Sequence, residues 1–168
     1  ELGHLPGLAL ALNGMGEACA LAERNVEARS HFERALTPAI DAQDIPTLTA
    51  ITFNLARLHQ SQREWSSAAE YYDGLSTLAR ASLNAALQVS CHEQRGVCQR
   101  ELGQIDPALG EWSAGAALSE GAGMLDQQLM FLSRSAQLLA TRGRNNEVRT
   151  LERQMEELRK AGAQELPL

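Results

Sequence analysis

Three cysteines and four histidines are among the residues of this 168-residue chain that could bind a metal or transfer protons. Cys91, His92 and Cys98 lie closest together, and the two cysteines fall on one face of a predicted helix. A structural zinc site needs about four converging ligands, and the sequence offers no plausible further ligands beside these residues. We therefore predict no metal site, and we expect the cysteines to be reduced, buried side chains in a reducing compartment.

Catalytic chemistry is equally poorly supported by the sequence. It contains no glycine-rich phosphate loop, no HExxH motif and no nucleophile elbow. The histidines His4, His31, His59 and His92 fall in different predicted elements, so no base can be paired with a nucleophile. Paired carboxylates such as Glu156 and Glu157 belong to an outer helix face, where we expect them to be solvated. We predict that the protein is not an enzyme and uses no cofactor.

The composition is that of a helical globular protein with an acidic surface. Hydrophobic residues make up 44% of the chain, aromatic residues only 4%, and the net charge is −6. That charge argues against nucleic acid as a partner of this domain. No apolar run is long enough to span a membrane and no signal peptide is visible. We expect a cytoplasmic protein without a membrane partner.

A 40-residue period organises the chain. A small residue is followed 12 positions later by alanine, and four positions after that by an aromatic ring. The pattern occurs three times in full and once in degraded form: Gly16, Ala28 and Phe32; Ala56, Ala68 and Tyr72; Gly96, Ala108 and Trp112; Ala136, Val148 and Glu152. A fixed period of this size predicts stacked helix pairs.

These residues resemble the signature of the tetratricopeptide repeat family, in its long, 40-residue variety. Gly103 and Gly143 both fall at the turn glycine of that family. The departures are Cys19, His59, Gln99 and Leu139 at a usual aromatic position, and Leu75, Gly115 and Met155 at a usual alanine. The resemblance implies an all-α, right-handed α-solenoid of about four helix-turn-helix repeats. It also places His59 towards the core, as a packed histidine.

We expect one domain over residues 1–168, with repeats at about 6–43, 46–84, 85–121 and 125–161 and a tail at 162–168. The helices are predicted at about 6–22, 26–42, 46–61, 66–83, 85–102 and 125–141, with a sixth starting at Pro107 and an eighth running from the turn at 142–146 to about 161. Predicted boundary signals are an Asn25 cap, a Ser67–Glu70 capping box, an Asp106 cap before Pro107, and Gly162 as a terminator. The inner stripe of the first helix is assigned to Leu8, Leu12, Met15, Cys19 and Ala22.

The resemblance implies that the first helix of each repeat lines a concave groove for a protein or peptide partner. The groove positions are Asn13, Glu17, Phe53, Asn54, Arg57, Glu93, Gln94, Val97, Arg100, Arg134 and Gln137. Amides can bond an extended backbone and arginines can pair with carboxylates. The lysine and asparagine clamp by which one subclass binds chaperone carboxylates is absent from these positions. Trp65 is expected in a turn, as a packing residue or a partner anchor.

A scaffold module that binds a protein or peptide is therefore the predicted function. One alternative is an effector-sensing domain of a larger bacterial signalling protein or transcription activator, since Glu1–His4 match the end of a preceding second helix. Another is self-association as a homo-oligomer through the apolar N-terminal end, which carries Leu5, Leu8, Leu10 and Leu12.

Overall fold

The structure is a computed structural model that describes residues 4–164, with side chains through residue 162. The described residues form eight α-helices and no strand. They are α1 (Leu5–Leu21), α2 (Asn25–Asp41), α3 (Ile45–Ser61), α4 (Trp65–Ala81), α5 (Ala85–Glu101), α6 (Ile105–Gly121), α7 (Leu125–Thr141) and α8 (Asn145–Gln164). Each helix begins 20 residues after the previous one. The prediction of an all-α protein with a 40-residue helix-pair repeat is confirmed.

Contacts divide the chain into two compact units, Glu1–Leu83 and Asn84–Leu168. The first unit contains α1 to α4, and the second contains α5 to α8. Within the first, α1 packs on α2 and α3, α2 on α3, and α3 on α4. Within the second, α5 packs on α6, α6 on α7, and α7 on α8. One continuous layer of four repeats remains a prediction.

The repeated small residues lie where the ring of the next helix crosses closely. A Cβ atom added to Gly16 would come within 2.5 Å of the Phe32 ring, and one added to Gly96 within 2.1 Å of the Trp112 indole. Phe32, Tyr72 and Trp112 are each only 1% exposed. Glycine is therefore required opposite Phe32 and Trp112, because even a Cβ atom would occupy the space of the ring.

The turns between helices share one backbone geometry. The residue at the centre of each turn has a positive φ, between 52° and 76°. Its N–H and the next N–H bond back to carbonyls of the last helical turn, as in Gly103 to Arg100 and Gln104 to Gln99. This is the Schellman arrangement, which favours glycine. The predicted turn glycines Gly103 and Gly143 take this conformation.

In the first unit, however, non-glycine residues stand at the equivalent positions, including Glu23 with φ 58°. We expect Glu23→Gly to raise the free energy of unfolding by about 1 kcal/mol, because the left-handed conformation costs a residue with a Cβ about that much. The measurement is urea denaturation followed by circular dichroism. Glu23→Ala removes the charge but keeps the Cβ, so a gain equal to that of the glycine variant would contradict the explanation.

Two of the predicted helix starts are corrected by the structure. α6 begins at Ile105, so Asp106 and Pro107 are its second and third residues, not its cap and first residue. Proline is tolerated there because the first four N–H groups of a helix have no intrahelical acceptor. α4 begins at Trp65, so Ser67 lies inside the helix and forms no capping box with Glu70.

Other helix-boundary predictions are also corrected. Asn25 is the first residue of α2 and follows an N-cap at Arg24. α8 continues past Gly162 to Gln164, because one glycine costs a helix only about 1 kcal/mol. Residues 165–168 of the predicted tail and Glu1–Gly3 of the predicted helix end lie outside the described residues. Side-chain caps form at Asp44, which accepts from the Thr47 N–H at 3.1 Å, and at Asn84, which accepts from the Leu87 N–H at 3.0 Å.

The inner stripe of α1 is also different from the prediction. Ala9, Leu12, Gly16 and Cys19 are buried, whereas Leu8 and Met15 are 50% and 51% exposed. Hydrophobic periodicity could not identify the buried face of α1, because this helix is apolar on nearly every face and Glu17 is its one charged residue. Among the described residues, no helix is long and apolar enough to cross a membrane.

Candidate partner-binding face

In the first unit, three polar side chains of α1 and α3 form one hydrogen-bonded cluster. The Asn54 amide donates to Asn13 Oδ1 at 3.1 Å and to Glu17 Oε1 at 2.8 Å. The Asn13 amide also donates to Glu17 Oε1, at 2.8 Å. Asn13 is only 5% exposed, so the cluster has a fixed base. These residues, which the sequence placed on the groove, are thus brought together across two successive first helices.

Arg57 stands one helical turn after Phe53 and Asn54 on the same helix. Its guanidinium lies over the Phe53 ring, 5.7 Å from the ring centroid, in a cation–π contact. It is exposed and makes no ion pair with any other residue that the structure describes. Its planar donor fork is therefore oriented by the ring and free to accept a carboxylate.

A cleft lies beside this cluster. Its volume is about 430 Å³, and its lining includes the polar side chains of Glu17, Asn54 and Arg57. Its two buried lining residues are the apolar side chains of Leu58 and Phe32. The remaining lining residues are Ala20, Leu21, Asn25 and Ser61. The cleft thus combines an apolar base with polar groups at its sides, as binding clefts commonly do.

The second unit has a polar contact at the same repeat positions. Arg134 on α7 donates to Glu93 Oε1 on α5 at 2.6 Å, with side chains 33% and 22% exposed. Glu93 and Arg134 follow Asn13 and Asn54 by 80 residues, two repeats. Successive first helices are therefore joined by polar side chains at equivalent positions in both units. Both residues belong to the predicted groove set.

A second cleft, of about 450 Å³, lies beside the Glu93–Arg134 pair. Six of its lining residues stand 80 positions after residues that line the first cleft: Arg100 after Ala20, Trp112 after Phe32, Arg134 after Asn54, Gln137 after Arg57, Leu138 after Leu58 and Thr141 after Ser61. Met130 and Ser133 complete it. We call the two the first-unit cleft and the second-unit cleft. The two clefts differ in charge. The charged lining residues are Glu17 and Arg57 in the first-unit cleft and Arg100 and Arg134 in the second-unit cleft.

The remaining predicted groove residues vary in their availability. Arg100 is exposed but pairs with Glu101 at 2.6 Å. Val97 is half-buried against the apolar core of the second unit, and Gln94 is also half-buried. Whether the residues of the two units form one groove stays a prediction.

One side-chain network was not predicted from the sequence, because one of its members, Arg29, lies 35 residues before Glu64 in the chain. Glu64, the N-cap residue of α4, accepts hydrogen bonds from Arg29 of α2, at 2.7 Å, and from the Nδ1 of His59. These bonds lower the pKa of Glu64. His59 is buried, as predicted, and stacks on Tyr71 with ring centroids 5.0 Å apart. No local pattern signals a contact across 35 residues, so only the folded chain reveals it.

The cysteines take the positions predicted for them. Cys19, Cys91 and Cys98 are free and buried. Burial raises the pKa of the Cys98 thiol to about 11, so it stays protonated and unreactive. Within residues 4–162, no group of cysteine, histidine and carboxylate side chains is arranged to hold a metal ion.

Comparison with known proteins agrees with this architecture. Residues 50–86 match the family model described as tetratricopeptide repeat. A search of curated proteins gave no significant match.

Among solved structures, aspartyl phosphate phosphatase F from Bacillus subtilis is 15% identical with a TM-score of 0.73, covering 92% of this chain and 41% of that chain. A Rap protein complexed with competence and sporulation factor is 13% identical with a TM-score of 0.68, covering 92% and 43%.

A putative kinesin light chain from Podosopora anserina, with nearly identical TPR-like repeats, is 16% identical with a TM-score of 0.72, covering 94% of this chain and 77% of that chain. The chain spans about two fifths of the length of the phosphatase and the Rap protein. The resemblance to the tetratricopeptide repeat family is thus confirmed, and the chain is an all-α protein built from helix pairs of this type.

Proposed function

We propose that this protein is a binding module for a protein or peptide partner, with the first-unit and second-unit clefts as its contact sites. The observation that carries the proposal is the repetition of one cleft at equivalent positions in both units, each with ordered polar side chains over an apolar base. Structural packing alone does not require polar side chains to be linked across successive first helices at an exposed cleft.

The charges at the two clefts indicate an acidic partner. In the first-unit cleft, Arg57 is oriented by Phe53 and has no carboxylate partner among the described residues. In the second-unit cleft, Arg100 and Arg134 face one carboxylate each, Glu101 and Glu93. An arginine that already lies in position loses little conformational entropy on binding a carboxylate. An extended segment with acidic side chains fits this arrangement.

The experiment is selection of binders from a random peptide display library against the full chain, followed by calorimetry. We expect the enriched peptides to be acidic. Arg57→Ala should weaken them at least tenfold, because a hydrogen-bonded charge pair contributes about 1.5 to 3 kcal/mol. Arg57→Lys should restore only part of the affinity, since lysine lacks the donor fork.

Arg80→Ala is the matched control. Arg80 is also an exposed arginine of the first unit, but among the described residues its side chain forms a single hydrogen bond, to Thr77 of its own helix. The Arg80→Ala variant should bind the acidic peptides with unchanged affinity. Equal losses for the Arg57 and Arg80 variants would show attraction by overall charge and would overturn the proposal for the first-unit cleft.

A second candidate function is effector sensing within a larger regulatory protein. The observation that favours it is the match to about two fifths of an aspartyl phosphate phosphatase and of a Rap protein that was solved with a bound factor. Self-association through α1 is a third candidate, supported by the exposure of Leu8, Leu10 and Met15. Sedimentation of the chain over a range of concentrations would separate it from the other two.

A further inference from the structure

The second unit contains another cavity, of about 470 Å³, formed by α6, α7 and α8. It shares only Trp112 with the lining of the second-unit cleft, so the two are distinct. Its base is a stripe of α7 made of Gln128, Leu132, Ser135 and Leu139, all less than 9% exposed. Residues of α6 and α8, among them Leu109, Ala116 and Leu151, form its walls. We call it the second-helix cavity.

This cavity is larger than its first-unit counterpart because the second unit has smaller or more polar side chains where the first has leucine or tyrosine. Moving back 80 residues replaces Ala116 by Leu36, Gln128 by Leu48, Ser135 by Leu55 and Leu151 by Tyr71. Leu55 is fully buried, and Leu36, Leu48 and Tyr71 pack against the same core. At the equivalent place the first unit has only a cavity of about 300 Å³, bordered by Glu33, His59, Ser67, Glu70 and Tyr71.

Two polar side chains at the base have no partner within the protein. Gln128 is 5% exposed and Ser135 is 8% exposed. Neither side chain makes a hydrogen bond with any residue that the structure describes. Their polar atoms are instead accessible from the cavity, where a ligand can form hydrogen bonds with them, whereas the first unit has leucine at both positions. The two groups lie on one face of α7, two turns apart, and both line the cavity.

The rim of the cavity is acidic. Arg144 is held by Asp106 at 2.8 Å and by Glu147 at 2.6 Å. Those hydrogen bonds lower the pKa of Glu147 and raise that of Arg144, so the network stays charged. Glu120 also borders the cavity. Three carboxylates against one arginine disfavour an anion at the mouth.

We propose that the second-helix cavity binds a small amphipathic molecule that is neutral or cationic. Its apolar body would pack against Leu132, Leu139 and Leu151, and an amide or amine group would bond Gln128 and Ser135. The volume lies in the range of small-molecule sites, which combine apolar walls with a few polar groups. The proposal is independent of the partner-binding face, because it uses other helix faces.

Three probes with one apolar body test the charge preference: phenylacetamide, phenethylamine and phenylacetate. Each is titrated into the full chain, and binding is followed by proton–nitrogen correlation spectra of the side-chain amides and the Trp112 indole. We expect the amide and the amine to bind at least tenfold more tightly than the acid. Equal binding of the acid, or no binding of the amide and amine, would overturn the proposal.

Variants locate the site. Gln128→Leu installs the residue that the first unit carries and should weaken the amide at least fivefold, because one hydrogen bond and part of the space are lost. Ser135→Ala removes only the hydroxyl and should give a smaller loss in the same direction. Gln127→Leu, the same change at the exposed neighbouring position, should have no effect. If Gln127→Leu and Gln128→Leu behave alike, the probe binds elsewhere.

Arg57→Ala separates this proposal from the partner-binding one. It should leave probe binding unchanged, while acidic peptides lose affinity. Loss of probe binding in Arg57→Ala would place the probe in the first-unit cleft and would contradict the assignment to the second-helix cavity.

Discussion

Replacement of Trp112 by alanine is expected to lower the free energy of unfolding by about 3 to 5 kcal/mol, the usual cost of truncating a buried aromatic residue. The indole is 1% exposed and lies against Gly96. It also donates a hydrogen bond to the Glu93 carbonyl at 3.3 Å. Because a cleft and a cavity border it on two sides, neighbouring side chains have little support from which to close the space left behind.

Urea denaturation followed by circular dichroism measures the change. Trp65→Ala is the control, because Trp65 is half-buried at the start of α4 and is not a ring of the repeat signature. Its loss should cost less than half as much. Similar decreases in the free energy of unfolding for both variants would show that the ring of the repeat signature contributes no more to packing than Trp65 does.

Gly96→Ala is expected to cost about 1 to 3 kcal/mol, as overpacking of a core does. The new Cβ would lie 2.1 Å from Trp112 Nε1 and 2.4 Å from its Cδ1. The indole is enclosed and cannot move aside without breaking its own contacts. Helix propensity alone would make alanine more stabilising than glycine by about 1 kcal/mol. A decrease in the free energy of unfolding would therefore indicate the steric contact between residue 96 and Trp112.

The matched control is Gly74→Ala, since a Cβ on Gly74 meets nothing within 4 Å. It should stabilise the protein. A second test uses repeat two, where Ala56 and Tyr72 stand at the same two positions and both are buried. Gly96→Ala combined with Trp112→Tyr should therefore be more stable than Gly96→Ala alone. A double variant that is less stable would contradict the steric explanation.

The fold could be predicted largely from the repeat because the same contact recurs every 40 residues. Gly16 and Phe32, like Gly96 and Trp112, are only 16 residues apart in the sequence. A glycine paired with a large ring at this spacing indicates that the two helices cross closely. Helix boundaries were predicted to within three residues for the same reason. Two of the incorrectly predicted boundary residues, Asp106 and Gly162, have usual boundary roles that are weak preferences of about 1 kcal/mol. Packing with the rest of the unit overrides them.

The candidate site was predictable only in part. The sequence placed Asn54 and Arg57 on the predicted groove, but it did not show that Asn54 would bond Asn13 across 41 residues. It also did not show that Phe53 would orient Arg57. The second-helix cavity was not predicted, because it arises where the side chains around Gln128 and Ser135 do not fill the space between the helices. A void depends on several side chains at once, and no single residue type signals it.

The equal spacing of the helix starts also affects how such a gene can change in length. Every first helix begins 40 residues after the previous one, at Ile45, Ala85 and Leu125. Loss of the codons for residues 45–84 would join Asp44 directly to Ala85, at the same point of a turn and helix as before. Gain or loss of 40 codons thus preserves the alternation of small-residue and ring-bearing helices, whereas a change of 20 codons would place two helices of one kind in succession.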